Sequence, residues 1–494
     1  MQHLVVDLGS SNGKIYLAGI REDRTLEMEE VDRFEMGRSM FQGHLSTDVF
    51  SVYGRICENL RRLTARGVQI DTVGIDSWSS DYSLIDLDSG MIGMPVFYRD
   101  LRTDGMEEEV EQTLDYREIY RLTTQRRLES SSLCQLLAYK KEYPHGLQGN
   151  KKILFLGDLL MYLLTGNLCS EVSVASYSQL FCMEKEDWED EMFVRFQIPK
   201  SICPPVVRAG TVLGNVQENL SKFLGIGEVK VITPAVHDTS SAAVAVPALK
   251  GERYVFLATG SWFLMSMELE ETADLLKSYE YGLSNTGLAF GKVLLKKNIT
   301  AMWLVQECRR QWEQMGISYT YEELAHMAGE AEEFYGMLDT EDESFGRPTE
   351  MASAVCHYLE RTGQRVPGVT DAGQIVRIIY ESIVMQSRRA LWMLEDTTGT
   401  KAEVLYVVGG ASKVALLNQF LADATGLPVK TGPAEASAVG NALLQAYGTG
   451  IVESEQEMRE IVRNSFPSEV YDPKDRKQWD RQYKKYLQLC IHKS

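Results

Sequence analysis

The sequence predicts an α/β protein built from two large domains. Its 494 residues are more than one hydrophobic core usually organises, so two domains are the natural expectation. Short apolar, β-branched segments typical of strands are interspersed with longer segments of helical periodicity. One plan, an apolar strand followed by a tight glycine-containing turn and a second apolar strand, occurs near residue 10 and again near residue 260. Each occurrence opens one half of the chain.

The N-terminal half begins with a predicted β-hairpin, in which LVVDL and KIYLAGI flank a Gly/Ser/Asn turn. A helix is predicted from about Thr47 to Arg66, with Asp48 as its N-cap or first-turn acid. TVGID and YSLIDLD are two further short strands. The centre, from about Leu101 to Gly225, is predicted to be mainly helical with polar loops.

The second half repeats the opening plan in RYVFLATGSWFLMSME, where the turn holds Gly260. AEVLYVVGGAS is a strand that runs into a Gly-Gly turn. An amphipathic helix is predicted from Val414 to Thr425, ended by Gly426 and Pro428. The charged end of the chain is predicted to be helical near Trp479 to Leu489 and to pack back on the body.

The predicted domain boundary lies around Pro247 to Gly251, where PALKG breaks the pattern. This gives an N-terminal domain of residues 1–247 and a C-terminal domain of residues 248–494 with a helical tail. Because no low-complexity linker marks the boundary, the halves are expected to pack closely, with a catalytic cleft between them.

Composition excludes several classes of protein. A net charge of -19 should repel a polyanion, so nucleic acid and an anionic membrane are poor partners. The first ten residues lack the basic region of a signal peptide, and the apolar stretch from Ile153 to Leu164 is interrupted by Asp158 and too short for a bilayer. We therefore expect a cytoplasmic protein. No coiled-coil heptad is present, and a monomer or homodimer is expected.

Cysteine and histidine spacing predicts neither disulfides nor a zinc site. Eight cysteines are scattered without a C-x-x-C pair, which indicates reduced and mostly buried thiols. The seven histidines show no zinc-ligand spacing. That leaves Mg²⁺, which needs only carboxylates, water and phosphate.

The segment DLGSSNGK is a candidate phosphate site. Gly9 and Gly13 bracket three small polar residues and Lys14 follows, so backbone N–H groups and a cation can approach an anion. A Walker A loop is excluded, because only three residues separate the glycines and Ile15 follows the lysine. A plain hairpin turn is the alternative interpretation.

Three later segments are weak signals one by one. Asp238 of HDTSSA follows an apolar strand and precedes small residues, as a base that activates a hydroxyl would, although an N-cap is the alternative. Gly260 and Ser261 in LATGSW can hold a second phosphate or form a hairpin turn. The Gly pair of VVGGAS can pass close to a nucleoside or make an ordinary strand-to-helix turn. Their order along the chain is more informative than any one of them.

In this order the segments resemble the FGGY carbohydrate kinases of the actin-like ATPase superfamily, and among them the rhamnulokinase branch. The resemblance covers nearly the whole chain and is carried by VDLGSSNGK, GIDSWSSDYSLID, YRDLRTDG, HDTSSA, TGSWFLM, LLKKNITAMWLVQE, VVGGAS, LLNQFLADATG and GPAEASAVGN. It implies two actin-like, ribonuclease H-like domains and MgATP-dependent phosphorylation of L-rhamnulose to L-rhamnulose 1-phosphate. The alternatives are L-fuculose, a xylulose or ribulose, or a deoxysugar as substrate, or a non-catalytic sugar-sensing relative.

The resemblance also implies roles for individual residues. Asp238 would be the general base, and Asp7 would hold Mg²⁺ through water. ATP would contact Ser10, Ser11, Asn12, Gly13, Lys14, Gly260, Ser261, Gln306 and Gly410. The sugar would contact Trp78, Ser79, Asp81, Tyr98, Arg99, His237, Asp238, Thr239 and Asn298.

Three positions depart from the family pattern. Ser79 replaces the sugar-contacting glycine of a W-G-V-D segment, so its side chain fills space where part of the sugar would lie. Ala411 replaces the third glycine of a Gly-Gly-Gly turn and should be tolerated unless that position needs a positive φ. Lys14 replaces an arginine, which keeps the charge and loses the bidentate fork.

Overall fold

The computed structural model describes residues 1–346 and 350–491. The strands are β1 His3–Leu8, β2 Asn12–Ile20, β3 Leu26–Glu35, β4 Arg38–Phe41, β5 His44–Thr47, β6 Thr72–Ser77, β7 Tyr82–Asp86, β8 Met91–Ile92, β9 Lys151–Phe155, β10 Ser170–Glu171, β11 Phe181–Cys182, β12 Asp187–Trp188, β13 Val206–Val207, β14 Val212–Asn215, β15 Lys230–Ile232, β16 Tyr254–Thr259, β17 Trp262–Leu269, β18 Ser284–Gly287, β19 Val293–Thr300, β20 Val404–Gly409, β21 Val429–Thr431 and β22 Val470–Tyr471.

The helices are α1 Val49–Ala65, α2 Met106–Thr113, α3 Tyr116–Thr123, α4 Ser132–Glu142, α5 Leu156–Thr165, α6 Val172–Ala175, α7 Asp190–Phe196, α8 Glu218–Leu224, α9 Asp238–Val244, α10 Leu275–Glu280, α11 Met302–Gln314, α12 Tyr321–Glu330, α13 Met351–Arg361, α14 Ala372–Thr398, α15 Ala415–Thr425, α16 Ala436–Gly448, α17 Glu455–Ser465 and α18 Arg476–Ile491. Within the described ranges, no helix combines the length and the apolar character needed to cross a bilayer.

The chain divides into two compact units, of which the first comprises residues 1–247, 268–295 and 435–466, and the second residues 248–267, 296–434 and 467–494. The first change of unit falls at the predicted boundary, between Pro247 and Ala248. Two stretches that the sequence analysis places in the second domain, residues 268–295 and 435–466, belong to the first unit. The second of them contains α16, whose Asn441 side chain donates a hydrogen bond to Asp76 on β6.

The first unit is organised by a six-stranded sheet in the order β14-β15-β6-β1-β2-β3. β1 pairs antiparallel with β2 and parallel with β6, which confirms the predicted opening hairpin. Both β1 and β6 are buried along almost their whole length, as expected for central strands. Their parallel register sets Asp7 opposite Asp76 at the carboxyl ends of the strands. The sheet therefore brings two acids to one edge.

Helix α1 forms close to the predicted bounds. The Asp48 side chain accepts a hydrogen bond from Ser51 N at 3.0 Å, which confirms Asp48 as the N-cap. Val52, Ile56, Leu60 and Leu63 recur at helical spacing and are buried on one face. The apolar residues whose spacing predicts the helix are thus the residues that the helix buries.

Strands β16, β20, β21 and β22 of the second unit are consecutive in a seven-stranded sheet whose order is β18-β19-β17-β16-β20-β21-β22. The β16–β17 hairpin confirms the second strand–turn–strand prediction. The C-terminal helix α18 packs back as predicted, because the Trp479 ring lies 5.2 Å from that of Phe420 and the Tyr486 hydroxyl donates to Gln386 Oε1 at 2.7 Å.

Candidate functional site

The first predicted phosphate turn joins β1 to β2. Gly9 N donates to the Asn12 carbonyl at 3.0 Å, and Ser11 and Asn12 are exposed to solvent. A Cβ added to Gly13 would lie 2.3 Å from the Phe34 ring, and neither turn glycine has a positive φ. Packing against Phe34 is therefore the local reason for glycine at position 13.

Lys14 is anchored at this turn by an acid that the sequence analysis did not single out. Its ammonium forms an ion pair with Glu435, the residue that precedes α16. The register of β1 and β2 sets Lys14 opposite Asp7, and the positive charge opposes the rise that burial causes in the pKa of Asp7. The turn thus carries a fixed positive charge next to a carboxylate.

Three carboxylates of the first unit influence one another. Burial raises the pKa of Asp76 well above its usual range, and the negative charges of Asp7 and Asp238 push it in the same direction. The Asn441 side-chain amide donates to Asp76 Oδ2 at 2.6 Å. Asp76 ends its apolar strand TVGID as Asp7 ends LVVD, and that parallel was the available signal for it.

These carboxylates supply the hard oxygen donors that Mg²⁺ prefers. Among the residues that the structure describes, no group of three or more His, Cys, Asp or Glu side chains is arranged to hold a metal ion by itself. Carboxylates of this kind can serve an ion that is held mainly by water and phosphate oxygens.

Asp238 is the first residue of α9, and its neighbour His237 occupies the N-cap position. Its Oδ1 accepts hydrogen bonds from Thr239 N at 2.6 Å and from the Thr239 hydroxyl at 3.2 Å, and His237 Nε2 lies 3.6 Å away. The carboxylate retains 31% of its exposure. Asp238 is therefore an oriented, accessible acid inside the first helical turn, and the N-cap alternative does not apply.

Four of the eight predicted sugar-contacting residues of the first unit belong to an aromatic and charged group. Trp78 Nε1 donates to Asp81 Oδ2 at 2.9 Å, and the Trp78 ring meets that of Phe97 edge-on at 6.5 Å. Phe97 also contacts the Tyr98 ring at 4.6 Å, and Arg99 Nε donates to the Tyr98 hydroxyl at 3.1 Å. Aromatic faces beside a carboxylate and a guanidinium are typical of carbohydrate sites.

The ring of His237, another predicted sugar contact, lies 5.3 Å from that of Tyr177. Asn298, also a predicted sugar contact, is half-buried on β19 and belongs to the second unit.

Arg38 is a further residue of this region that the sequence did not predict. Its guanidinium lies 3.6 Å from the centre of the Phe97 ring and donates to the Ser10 carbonyl, so it joins the aromatic group to the phosphate turn. An arginine in an exposed strand gives no sequence signal for that role.

The departure at Ser79 costs no backbone strain. Ser79 is half-buried, and the left-handed conformation of this segment falls on the next residue, Ser80, with φ of 78°. The Ser80 carbonyl accepts hydrogen bonds from the Ser132 hydroxyl at 3.1 Å and from Gln135 Nε2 at 3.2 Å. These hydrogen bonds hold Ser80 in its left-handed conformation, so the side chain at position 79 is accommodated without backbone strain.

Asp81 predicts a measurable dependence of stability on pH. Burial raises the pKa of Asp81 from 3.8 to about 7, with the Trp78 hydrogen bond acting against it. Because the folded state holds this proton more tightly than the unfolded chain, Asp81 should lower the free energy of unfolding as pH rises through the range from about 4 to 7.

Urea denaturation at about pH 5.5 and about pH 8 will test this. Wild type should lose more stability between the two values than Asp81→Asn, whose amide oxygen can still accept from Trp78. Equal losses would contradict the prediction.

In the second unit, the predicted nucleotide residues converge on the β16–β17 turn. Gly260 N donates to the Trp262 carbonyl at 2.9 Å, and the Ser261 hydroxyl donates to Gln306 Oε1 on α11 at 2.9 Å. Trp303 N also donates to the Ser261 carbonyl at 2.9 Å. The turn and the first part of α11 are thereby fixed to each other.

The Gly-Gly turn lies beside this group. β16 and β20 pair in parallel with Thr259 opposite Gly409, whose φ is 88° and whose added Cβ would lie 2.3 Å from the Thr259 carbonyl. Gly410 is exposed with no atom within 4 Å of its Cβ position, so a flat ligand can approach it. Ala411 does not have a positive φ, and the alanine is tolerated as expected.

Known proteins are similar to this chain over most of its length. The FGGY family of carbohydrate kinases, N-terminal domain, matches residues 3–245, and its C-terminal domain matches residues 254–449. A rhamnulokinase of Bacteroides thetaiotaomicron is 34% identical over 478 residues, covering 97% of each chain. A rhamnulokinase of Lactiplantibacillus plantarum is 31% identical over 487 residues, covering 98% of each chain.

Solved structures share the fold. A xylulose kinase from Rhodospirillum rubrum superimposes with a TM-score of 0.78 at 16% identity, over 100% of this chain and 99% of the other. A gluconate kinase from Lactobacillus acidophilus gives 0.77 at 15% identity, over 99% and 98%. At such identities the likeness confirms the predicted two-domain α/β fold and says nothing of the substrate. With both family domains matched in order over most of its length, the chain belongs to the FGGY family of carbohydrate kinases.

Proposed function

We propose that this sugar kinase transfers the γ-phosphoryl group of MgATP to O1 of L-rhamnulose, giving L-rhamnulose 1-phosphate and ADP. The observation that carries the choice of sugar is the similarity, over nearly the full length of both chains, to several proteins named rhamnulokinase. The choice of kinase chemistry rests on family membership, since carbohydrate kinases of this family use ATP. We place the reaction in the cytoplasm, where ATP is available.

Asp238 acts as the general base in this proposal. Its carboxylate accepts the O1 proton while O1 forms a bond to the γ-phosphorus and the bond from that phosphorus to the bridging oxygen of ADP breaks. The hydrogen bonds from Thr239 orient the carboxylate, and its exposed fraction gives the hydroxyl access to it. His237 and Thr239 flank the same position along the chain and would contact the sugar.

The phosphate-type turns would stabilise the negative charge on the phosphoryl group. Residues 10–14 would supply side-chain and backbone donors together with the Lys14 ammonium, which Glu435 holds at the turn. Mg²⁺, when bound, neutralises phosphate charge, and Asp7 would contact it through water.

The nucleotide itself would be held by the second unit. Ser261 would meet the γ-phosphate, and its bond to Gln306 would fix the hydroxyl. Gly410 would pack on adenosine, because its open Cβ side admits a flat ring system.

A second candidate is an FGGY kinase for another ketose. It is favoured by Ser79, whose side chain occupies the place of a family glycine without backbone strain. A non-catalytic sugar sensor is disfavoured, because the chain retains an oriented and accessible Asp238 as well as both phosphate-type turns.

A panel of ketoses in a coupled ADP-release assay will separate these candidates. With MgATP, we expect kcat/KM for L-rhamnulose to exceed that for L-fuculose, D-xylulose and D-ribulose by about 10-fold or more, since a site built around specific hydroxyls discriminates against their rearrangement. Reactions without sugar correct for background ATP hydrolysis. Preference for another ketose would contradict L-rhamnulose as the substrate but would leave the proposed kinase activity intact. Calorimetric binding of a sugar with no ADP from any ketose would favour the sensor.

A further inference from the structure

The segment that leads into Asp238 is held by side chains in place of a neighbouring strand. The Val236 carbonyl accepts from Ser77 N at 2.8 Å, and Ser77 and His237 form a parallel bridge at the end of β6. The N–H groups of Val236 and His237 have side-chain acceptors. Buried N–H groups need such partners, so these acceptors fix the 235–236 and 236–237 peptide units, which precede Asp238.

Those acceptors come from the strand–helix junction of β10 and α6. Glu171 Oε2 accepts Val236 N at 2.9 Å and also accepts the N–H and hydroxyl of Ser173. The Ser173 hydroxyl oxygen in turn accepts His237 N at 3.0 Å. Both side chains are fully buried, and neither residue was predicted to have a role. One carboxylate therefore controls, directly and through one hydroxyl, both peptide units before Asp238.

We infer that Glu171, together with Ser173, is a positioning residue that sets the place of the Asp238 carboxylate relative to the phosphoryl acceptor. This inference rests on the proposed role of Asp238 as base. Burying a carboxylate is costly, and burial raises the pKa of Glu171 to about 7. A buried acid whose Oε2 accepts from the backbone before the base is better explained by positioning than by core packing.

The test uses variants that separate geometry from stability. Glu171→Met removes the acceptor while keeping an unbranched side chain, and Ser173→Ala removes only the acceptor of His237 N. We expect kcat to fall by about 10- to 100-fold in each, because a small displacement of a catalytic group has effects of this size, while the KM for ATP stays within about 3-fold. Glu171→Gln can place its amide oxygen where Oε2 lies, and we expect it to recover kcat to within about 3-fold of wild type.

Asp158→Asn is the matched control. Asp158 is an equally buried acid that contacts the Ser170 hydroxyl and Glu171 N, not residues 236–237. Asp158→Asn should lower the free energy of unfolding but should not show the fall in kcat that we expect of Glu171→Met and Ser173→Ala. The inference is overturned if folded Ser173→Ala has wild-type kcat, if Glu171→Gln loses as much as a folded Glu171→Met, or if Asp158→Asn matches Ser173→Ala in kcat. Should Glu171→Met fail to fold, Ser173→Ala decides alone.

The role of Asp238 is measured in parallel. If Asp238→Asn keeps normal turnover, the proposed base is wrong and this inference falls with it. If Asp238→Asn is inactive and Ser173→Ala is fully active, the base stands and only the positioning role is rejected.

Discussion

Asp238→Asn should fold normally and lose at least about 100-fold in kcat, which is the lower end of what a general base contributes to proton transfer. The amide keeps the shape of the carboxylate and an oxygen that can accept from Thr239, so α9 should be undisturbed. It cannot take the proton of a sugar hydroxyl. Binding of sugar and ATP, measured by calorimetry, should change much less than turnover in the ADP-release assay.

Asp190→Asn is the control for this variant. Asp190 is also the first residue of a seven-residue helix in the first unit, but its side chain is exposed and paired with Lys200. It should leave kcat within about 2-fold, as surface substitutions usually do. Near-normal turnover of purified, folded Asp238→Asn would remove Asp238 from the mechanism, whatever the sugar.

Gly440→Ala should destabilise the first unit by about 3 kcal/mol or more, beyond the usual effect of overpacking, because the clash is with backbone. A Cβ at position 440 on α16 would lie 1.8 Å from the carbonyl oxygen of Ser241 on α9, and no side-chain rotation relieves that contact. The two helices must separate, and α9 carries Asp238. Turnover should therefore fall together with the free energy of unfolding measured in urea.

Gly54→Ala, in the same unit, is expected to raise the free energy of unfolding where Gly440→Ala lowers it. Gly54 lies inside α1, is exposed, and has no atom within 4 Å of its Cβ position. Alanine is the better helix former, so this variant should gain up to about 1 kcal/mol. A Gly440→Ala protein as stable as wild type would show that α9 and α16 can separate at little cost, contrary to the contact that we describe.

Elements encoded by local pattern were predictable. The β1–β2 hairpin and α1 with its Asp48 cap follow from periodicity and turn or capping chemistry over a few residues, as does α15 with its stop at Gly426. The same holds for the two phosphate-type turns and for the place of Asp238 after an apolar run. Their order along the chain was enough to indicate the family, because a specific order of weak motifs rarely arises by chance.

Partners of the site residues were decided only by tertiary structure. Asp76 lies beside Asp7 because two strands far apart in sequence pair in parallel with that register, and Glu435 reaches Lys14 because the chain returns to the first unit at α16. Glu171 contacts the backbone before Asp238 through a junction that no local motif marks. Such contacts depend on which distant segments pack together. The sequence by itself therefore determined the chemical groups available for phosphoryl transfer, while the packing of sheets and helices decided which charges and hydrogen bonds hold them in place.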